Sequence, residues 1–175
     1  YEQSLIIRQE INDRYGECAT LMGLGNVYNS LTQYEKAKDY YEQSLIISRE
    51  IKNRLGEGSN LMNLGNVYNS LTQYEKAKDY YEQSLIISRE INNRRGEGFT
   101  LMNLGYVHYN LAQYEKAKDY YEQSLIIRQE INDRHGEGTT LMGLGNVYNR
   151  LAQYEKAKDY YEQSLTVSRE IKDRD

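Results

Sequence analysis

The side chains in this sequence best suited to covalent or acid–base chemistry are Cys18, the single cysteine, and the two histidines, His108 and His135. A catalytic centre needs an acid, a base or a nucleophile converging in one pocket. These three do not read as such a set, because Cys18 has no partner that recurs with it. A lone cysteine also forbids an intramolecular disulfide and a cysteine-cluster metal site. The acidic residues fall mostly in the recurring phrase "YEKAKDYYEQ", whose mixed charges read as a solvated helix face. Arg14 and Glu17, Arg54 and Glu57, Arg94 and Glu97, and Arg134 and Glu137 stand three residues apart. That spacing sets them side by side on one helix, as structural ion pairs. The GxG triplets at Gly23-Leu24-Gly25 and Gly143-Leu144-Gly145 suggest a phosphate loop, yet they lack the strand-to-helix context such a loop requires. The expectation is a chain with no catalytic residue, no metal ligand and no cofactor.

Net charge of -4 over 175 residues argues against a nucleic-acid partner, which needs a basic face to release counterions from phosphates. No stretch approaches the roughly 18 to 20 apolar residues of a spanning helix. Cysteine usage fits a reducing, cytoplasmic setting. The chain opens without Met, inside a repeated phrase, so it reads as part of a longer protein with any targeting signal out of view.

The elements that must position any site follow from a repeat. "YEQSL" begins at residues 1, 41, 81, 121 and 161, a period of 40 without insertion or deletion. A fixed period of this length means units that bury their apolar faces against their neighbours. Each period is helical twice. Leu61, Leu64, Gly65, Tyr68 and Leu71 mark one face of a helix A; Tyr74, Ala77, Tyr81, Ser84, Ser88 and Ile91 mark one face of a helix B, flanked by Leu85 and Ile87. Thr72 and Gln73 make a connection short enough for antiparallel neighbours. Asp13, Asn53, Asn93 and Asp133 are N-cap residues for the A helices. The expected organisation is a B helix over residues 1–12 and full repeats at 13–52, 53–92, 93–132 and 133–172.

The phrase "LGNVYNSLTQYEKAKDYYEQSL" resembles the tetratricopeptide repeat, with Leu64, Gly65, Tyr68, Ala77 and Tyr81 at that motif's spacing. The match recurs in all four pairs, with His108 in place of the motif tyrosine in one. Three departures stand out. The period is 40 rather than the common 34, the usual proline after helix B is missing, and Ser44, Ser84, Ser124 and Ser164 replace a frequent alanine. The length is similar to that of the repeats in kinesin light chains and cortical polarity adaptors. The resemblance implies an all-α fold, a right-handed α-solenoid of antiparallel helix pairs, and a binding module in place of an enzyme.

With about 100° per residue, Leu55, Ser59, Met62, Asn66, Asn69 and Ser70 share a side of helix A apart from its core stripe. In the resembled family this side lines the concave groove. It carries a ladder of asparagines: Asn26, Asn29, Asn66, Asn69, Asn146 and Asn149, supplemented by Asn63 and Asn103. An amide offers donors and an acceptor to the backbone of an extended peptide. Asparagine is poor in mid-helix, so its recurrence needs a reason, whether peptide binding, solvation of a groove or a bond to the next repeat. The groove's neutral, methionine-containing lining lacks the cations of a terminal-carboxylate clamp. In one copy Tyr106 and Tyr109 replace ladder asparagines, on the same side as Arg95 and Phe99. These four form a candidate specificity patch for an apolar or aromatic side chain, unless they are drift in a copied segment. The expected partner is a protein or peptide. Alternatives are end-to-end association of copies through apolar terminal helices, and service as the sensor or scaffold arm of a larger signalling protein.

Overall fold

Local turn chemistry cuts the chain into helices. The computed structural model describes residues 2–172, and among them it contains nine α-helices and no strand. They are α1 (Glu2–Glu10), α2 (Arg14–Ser30), α3 (Tyr34–Glu50), α4 (Arg54–Ser70), α5 (Tyr74–Glu90), α6 (Arg94–Asn110), α7 (Tyr114–Glu130), α8 (Arg134–Arg150) and α9 (Tyr154–Lys172). The even-numbered helices are of type A and the odd-numbered ones of type B. As expected, Asp13, Asn53, Asn93 and Asp133 cap the A helices, their side chains accepting from the backbone N–H of Gly16, Gly56, Gly96 and Gly136. Helix C-termini close by a second device. Thr32 N–H donates to Asn29 O and Gln33 N–H to Tyr28 O, a Schellman pair around a residue in the left-handed region. That residue is never glycine. It is Asn12, Thr32, Lys52, Thr72, Asn92, Ala112, Asn132 or Ala152, with φ between 54° and 58°.

The helices group into two compact units, Tyr1–Asn92 and Asn93–Asp175. In the first, Ala37, Tyr41, Leu45, Leu61, Leu64, Val67 and Ile87 form a buried cluster. In the second, Ala117, Tyr121, Leu144, Val147, Tyr148 and Ala157 do so. The helical glycines are close-approach residues. A Cβ on Gly65 would lie 2.5 Å from the Tyr81 ring, and one on Gly145 would lie 2.6 Å from the Tyr161 ring. Glycine there costs about 1 kcal/mol of helix propensity and admits the tyrosine of the following B helix.

Within each unit, A and B helices are also tied by polar groups. Ser44 Oγ donates to Cys18 O at 2.9 Å and Ser84 Oγ to Gly58 O at 2.9 Å; Ser124 and Ser164 reach Gly98 O and Gly138 O in the second unit. This accounts for serine where the motif often has alanine: a hydroxyl spans to a carbonyl of the neighbouring helix. Arg14 joins Glu17 on its own helix to Glu50 on α3, and Arg54 joins Glu57 to Glu90. Arg94 and Arg134 repeat the clasp with Glu130 and Glu170. The hydrogen-bonded carboxylates of Glu50 and Glu17 raise the Arg14 guanidinium above its ordinary value. The arginine–glutamate pairs are thus structural, as their spacing predicts.

One layer differs between repeats, with Arg8 paired to Asp13 at the start of the first unit and serine at the equivalent place in the next copy. There Asn60 Nδ2 bonds Ser44 Oγ at 2.9 Å and Ser48 Oγ at 3.1 Å. In the second unit, Arg128 holds the place of Ser48, is fully buried, pairs with Asp133 and stacks on Phe99 with its guanidinium carbon 3.8 Å from the ring centroid.

Candidate functional site on the A-helix face

The groups with chemical reactivity are each engaged in local packing or exposed on a helix. Cys18 is buried, its Sγ 3.1 Å from Ser48 Oγ and 3.4 Å from Ser44 Oγ. His108 is buried in the other unit, its Nδ1 2.7 Å from Gln113 Oε1 and its ring stacked on Tyr120 at 5.0 Å. It takes the part that tyrosine plays in the stacks Tyr28–Tyr40, Tyr68–Tyr80 and Tyr148–Tyr160. His135 is exposed at the start of α8. Both GxG triplets fall inside helices, α2 and α8. The geometry offers packing and hydrogen bonding at these residues.

The asparagine ladder has a more definite structure than its spacing suggests. Tyr41 Oη donates to Asn26 Oδ1 at 2.7 Å, Tyr81 Oη to Asn66 Oδ1 at 2.7 Å, and Tyr161 Oη to Asn146 Oδ1 at 2.8 Å. The acceptor half of each amide is therefore engaged by a tyrosine fifteen residues on, and burial pushes the Tyr41 hydroxyl up to about 12. Asn63 Nδ2 reaches Asn26 Oδ1 at 3.4 Å within the first unit. Asn26 and Asn146 are exposed. Asn29 and Asn69 are half-buried, each with an Oδ1 that meets no donor inside the protein. Asn103 is half-buried on α6. Asn149 is exposed and lines an open depression of about 360 Å³ with Tyr154, Ala157, Tyr161 and Leu165.

The four residues of the expected specificity patch all lie on α6, in two situations. Arg95 and Tyr106 are exposed. Phe99 and Tyr109 are half-buried beneath cations from other helices. Phe99 carries Arg128, and Tyr109 accepts a hydrogen bond from Arg150 Nε at 2.9 Å while meeting the Tyr114 ring edge-on at 5.6 Å. The Tyr109 hydroxyl is the first cause of the raised Arg150 value. Arg150 stands where α2, α4 and α6 carry Ser30, Ser70 and Asn110, and neither it nor Tyr109 announces the pair by itself. The signal was present in the period: the copy after the one that gains Tyr109 is the copy that gains arginine where Ser30 and Ser70 stand.

Among the described residues no helix is long and apolar enough to cross a membrane. Comparison with curated proteins gives no match. Three similar solved structures, each below 25% identity, show the fold alone. BtubC (BKLC) from P. vanneervenii superposes with a TM-score of 0.90 at 22% identity, over 98% of this chain and 72% of that one. A Rap protein complexed with competence and sporulation factor gives 0.81 at 20%, over 94% of this chain and 45% of that one. The nearly identical repeats of a putative kinesin light chain from Podosopora anserina give 0.75 at 17%, over 97% and 84%. This chain thus spans less than half of the Rap protein. A family model described as tetratricopeptide repeat matches residues 16–90 and 96–170. With the paired helices, the glycine–tyrosine contacts and these matches in agreement, the chain belongs to the tetratricopeptide repeat family.

Proposed function

We propose that this chain is a noncatalytic protein-interaction module that holds an extended peptide or partner segment along the asparagine-bearing face of its A helices. One observation carries the reading: Asn26 and Asn146 are exposed while a core tyrosine pins the acceptor of each amide. The pinned amide presents its N–H groups in a set direction, so little side-chain entropy is lost when a carbonyl is bound. Donors fixed at repeat positions suit main-chain carbonyls irrespective of the side chains between them. The Rap protein whose structure was solved with competence and sporulation factor shows a related fold in a complex.

The test begins by selecting ligands from a displayed library of random dodecapeptides on the wild-type protein, followed by calorimetric titration of the enriched peptides. Asn26→Asp and Asn146→Asp keep the acceptor for Tyr41 and Tyr161 and delete the Nδ2 donor; Asn→Ala at the same sites controls for the added charge. Loss of one hydrogen bond worth about 0.5 to 1.5 kcal/mol weakens binding about 2- to 13-fold per site. Failure of the library to enrich any peptide, or undiminished affinity in both series, overturns the reading.

A further inference from the structure

The second unit contains one core tyrosine whose hydroxyl bonds nothing. Tyr41, Tyr81 and Tyr161 each donate to an asparagine of the preceding A helix. At the equivalent place Tyr121 faces Tyr106, and its hydroxyl has no hydrogen-bond partner among the described residues. Tyr121 is 5% exposed, and burial pushes its hydroxyl well above the ordinary tyrosine range, with Tyr106 and Tyr109 adding to the shift. The hydroxyl therefore stays protonated and remains a donor.

The ring has also settled against the next helix. A Cβ on Gly143 would lie 2.7 Å from both Cε1 and Cζ of Tyr121, whereas the first unit has Asn63 at the same repeat position beside Tyr41. Glycine stands at this repeat position at Gly23 as well as Gly143, whereas the tyrosine at 109 is matched by its own hydrogen-bonded arginine at 150. Tyr106 beside this point is 47% exposed.

Resting on the peptide-binding reading above, we infer that Tyr121 is the ligand donor of the second unit: its hydroxyl hydrogen-bonds an acceptor oxygen, a main-chain carbonyl of the bound segment, beside Tyr106. Where the ladder uses a tyrosine to pin an asparagine and lets the amide meet the ligand, this copy removes the asparagine and the tyrosine meets the ligand itself. The Tyr121 side chain is more than nine-tenths buried, yet its oxygen is not among the fully enclosed unpartnered atoms, so an acceptor from outside can reach it and gain a hydrogen bond from a donor already fixed in place.

Two tyrosine-to-phenylalanine variants separate this role from packing. Tyr121→Phe removes only the hydroxyl, and Tyr41→Phe removes a hydroxyl that bonds Asn26. Peptides enriched on the wild type from the dodecapeptide library are titrated into each variant, and thermal midpoints are recorded without peptide. The expected result is that Tyr121→Phe leaves the midpoint unchanged or higher and weakens binding at least 5-fold, while Tyr41→Phe lowers the midpoint. Unchanged affinity in Tyr121→Phe overturns the inference, as does a lowered midpoint, which reveals an internal partner. If Asn146→Asp weakens binding and Tyr121→Phe does not, the inference alone falls. If neither does, the peptide-binding reading falls with it.

Discussion

At the scale of single residues, asparagine and tyrosine divide labour in a way that neither shows alone. A hydroxyl buried beside a helix must find an acceptor, and the amide of Asn26 or Asn66 is that acceptor. Asparagine in mid-helix, unfavourable by propensity, therefore has a stabilising task whether or not a ligand is present. Tyr81→Phe is expected to cost about 0.5 to 1.5 kcal/mol, read as a lowered urea midpoint, because the hydrogen bond from Tyr81 to Asn66 is lost. Gly65→Ala tests the other half of the contact. Alanine gains about 1 kcal/mol in helix propensity, but its methyl meets the Tyr81 ring at 2.5 Å, so a net loss of about 1 to 2 kcal/mol is expected by the same measurement. An unchanged or raised midpoint would mean that the ring moves aside freely.

At the scale of helices, the decisive variation is the buried layer between a B helix and the next A helix. Arg128 is buried at a B-helix position where α3, α5 and α9 carry serine and α1 carries the half-buried Arg8, and burial lowers its guanidinium from the ordinary value. Its partner Asp133 is subject to desolvation, which raises its carboxyl. The Gly136 N–H and the Arg128 guanidinium outweigh that and hold it below 3.8. A carboxyl lowered on folding contributes stability that is present above about pH 4 and is lost as pH falls through the folded value. Asp133→Asn strands a buried cation and is expected to cost about 3 kcal/mol. The double change Arg128→Ser with Asp133→Asn reproduces the Ser48 and Asn53 arrangement of the first unit and is expected to recover most of that loss. It should also flatten the stability profile between pH 5 and pH 2, followed by urea denaturation. A double variant as weak as the single one would show that the pair is not the unit of exchange.

Periodicity and capping chemistry reveal most of the helix pattern from the sequence. Leu61, Leu64 and Ala77 follow a 3.6-residue spacing, and the residues before Arg14 or Arg54 are caps on any reading. Arg128 was illegible because arginine at a B-helix position ordinarily points to solvent, and only the fold shows which rotation of the helix buries it. Phe99 was visible as a departure but not as a platform, since its cation is contributed from α7. Tyr121 was hidden for the opposite reason: it is unchanged in every copy, and what alters its chemistry is the absence of Asn from position 106.

For the molecule as a whole, near-identical repeats make stability a sum of local terms and nearest-neighbour terms. The layer around Ser48 and Asn60 lies in one compact unit and the layer around Arg128 and Asp133 in the other, while Arg8 and Asp13 repeat the arginine pair at the start of the first. Damage should therefore stay local. In Asp133→Asn, amide hydrogens of α7 and α8 are expected to exchange faster while those of α3 and α4 keep their wild-type protection. Uniform acceleration in both units would instead indicate one cooperative block. The binding reading has the same granularity, with exposed amides on α2 and α8 and a tyrosine donor from α7.

The turns hold an untapped margin. Every interhelix connection passes through the left-handed region without glycine, and at Ala112 and Ala152 no side-chain polar group compensates for it. A β-carbon in that conformation costs about 1 kcal/mol, so Ala112→Gly and Ala152→Gly should each raise the melting temperature by a few degrees. Both positions are remote in chemistry from the amide ladder and from the buried layers. A thermostable variant can thus be made by relaxing its hinges alone, leaving the proposed recognition surface as a fixed background for mapping ligands.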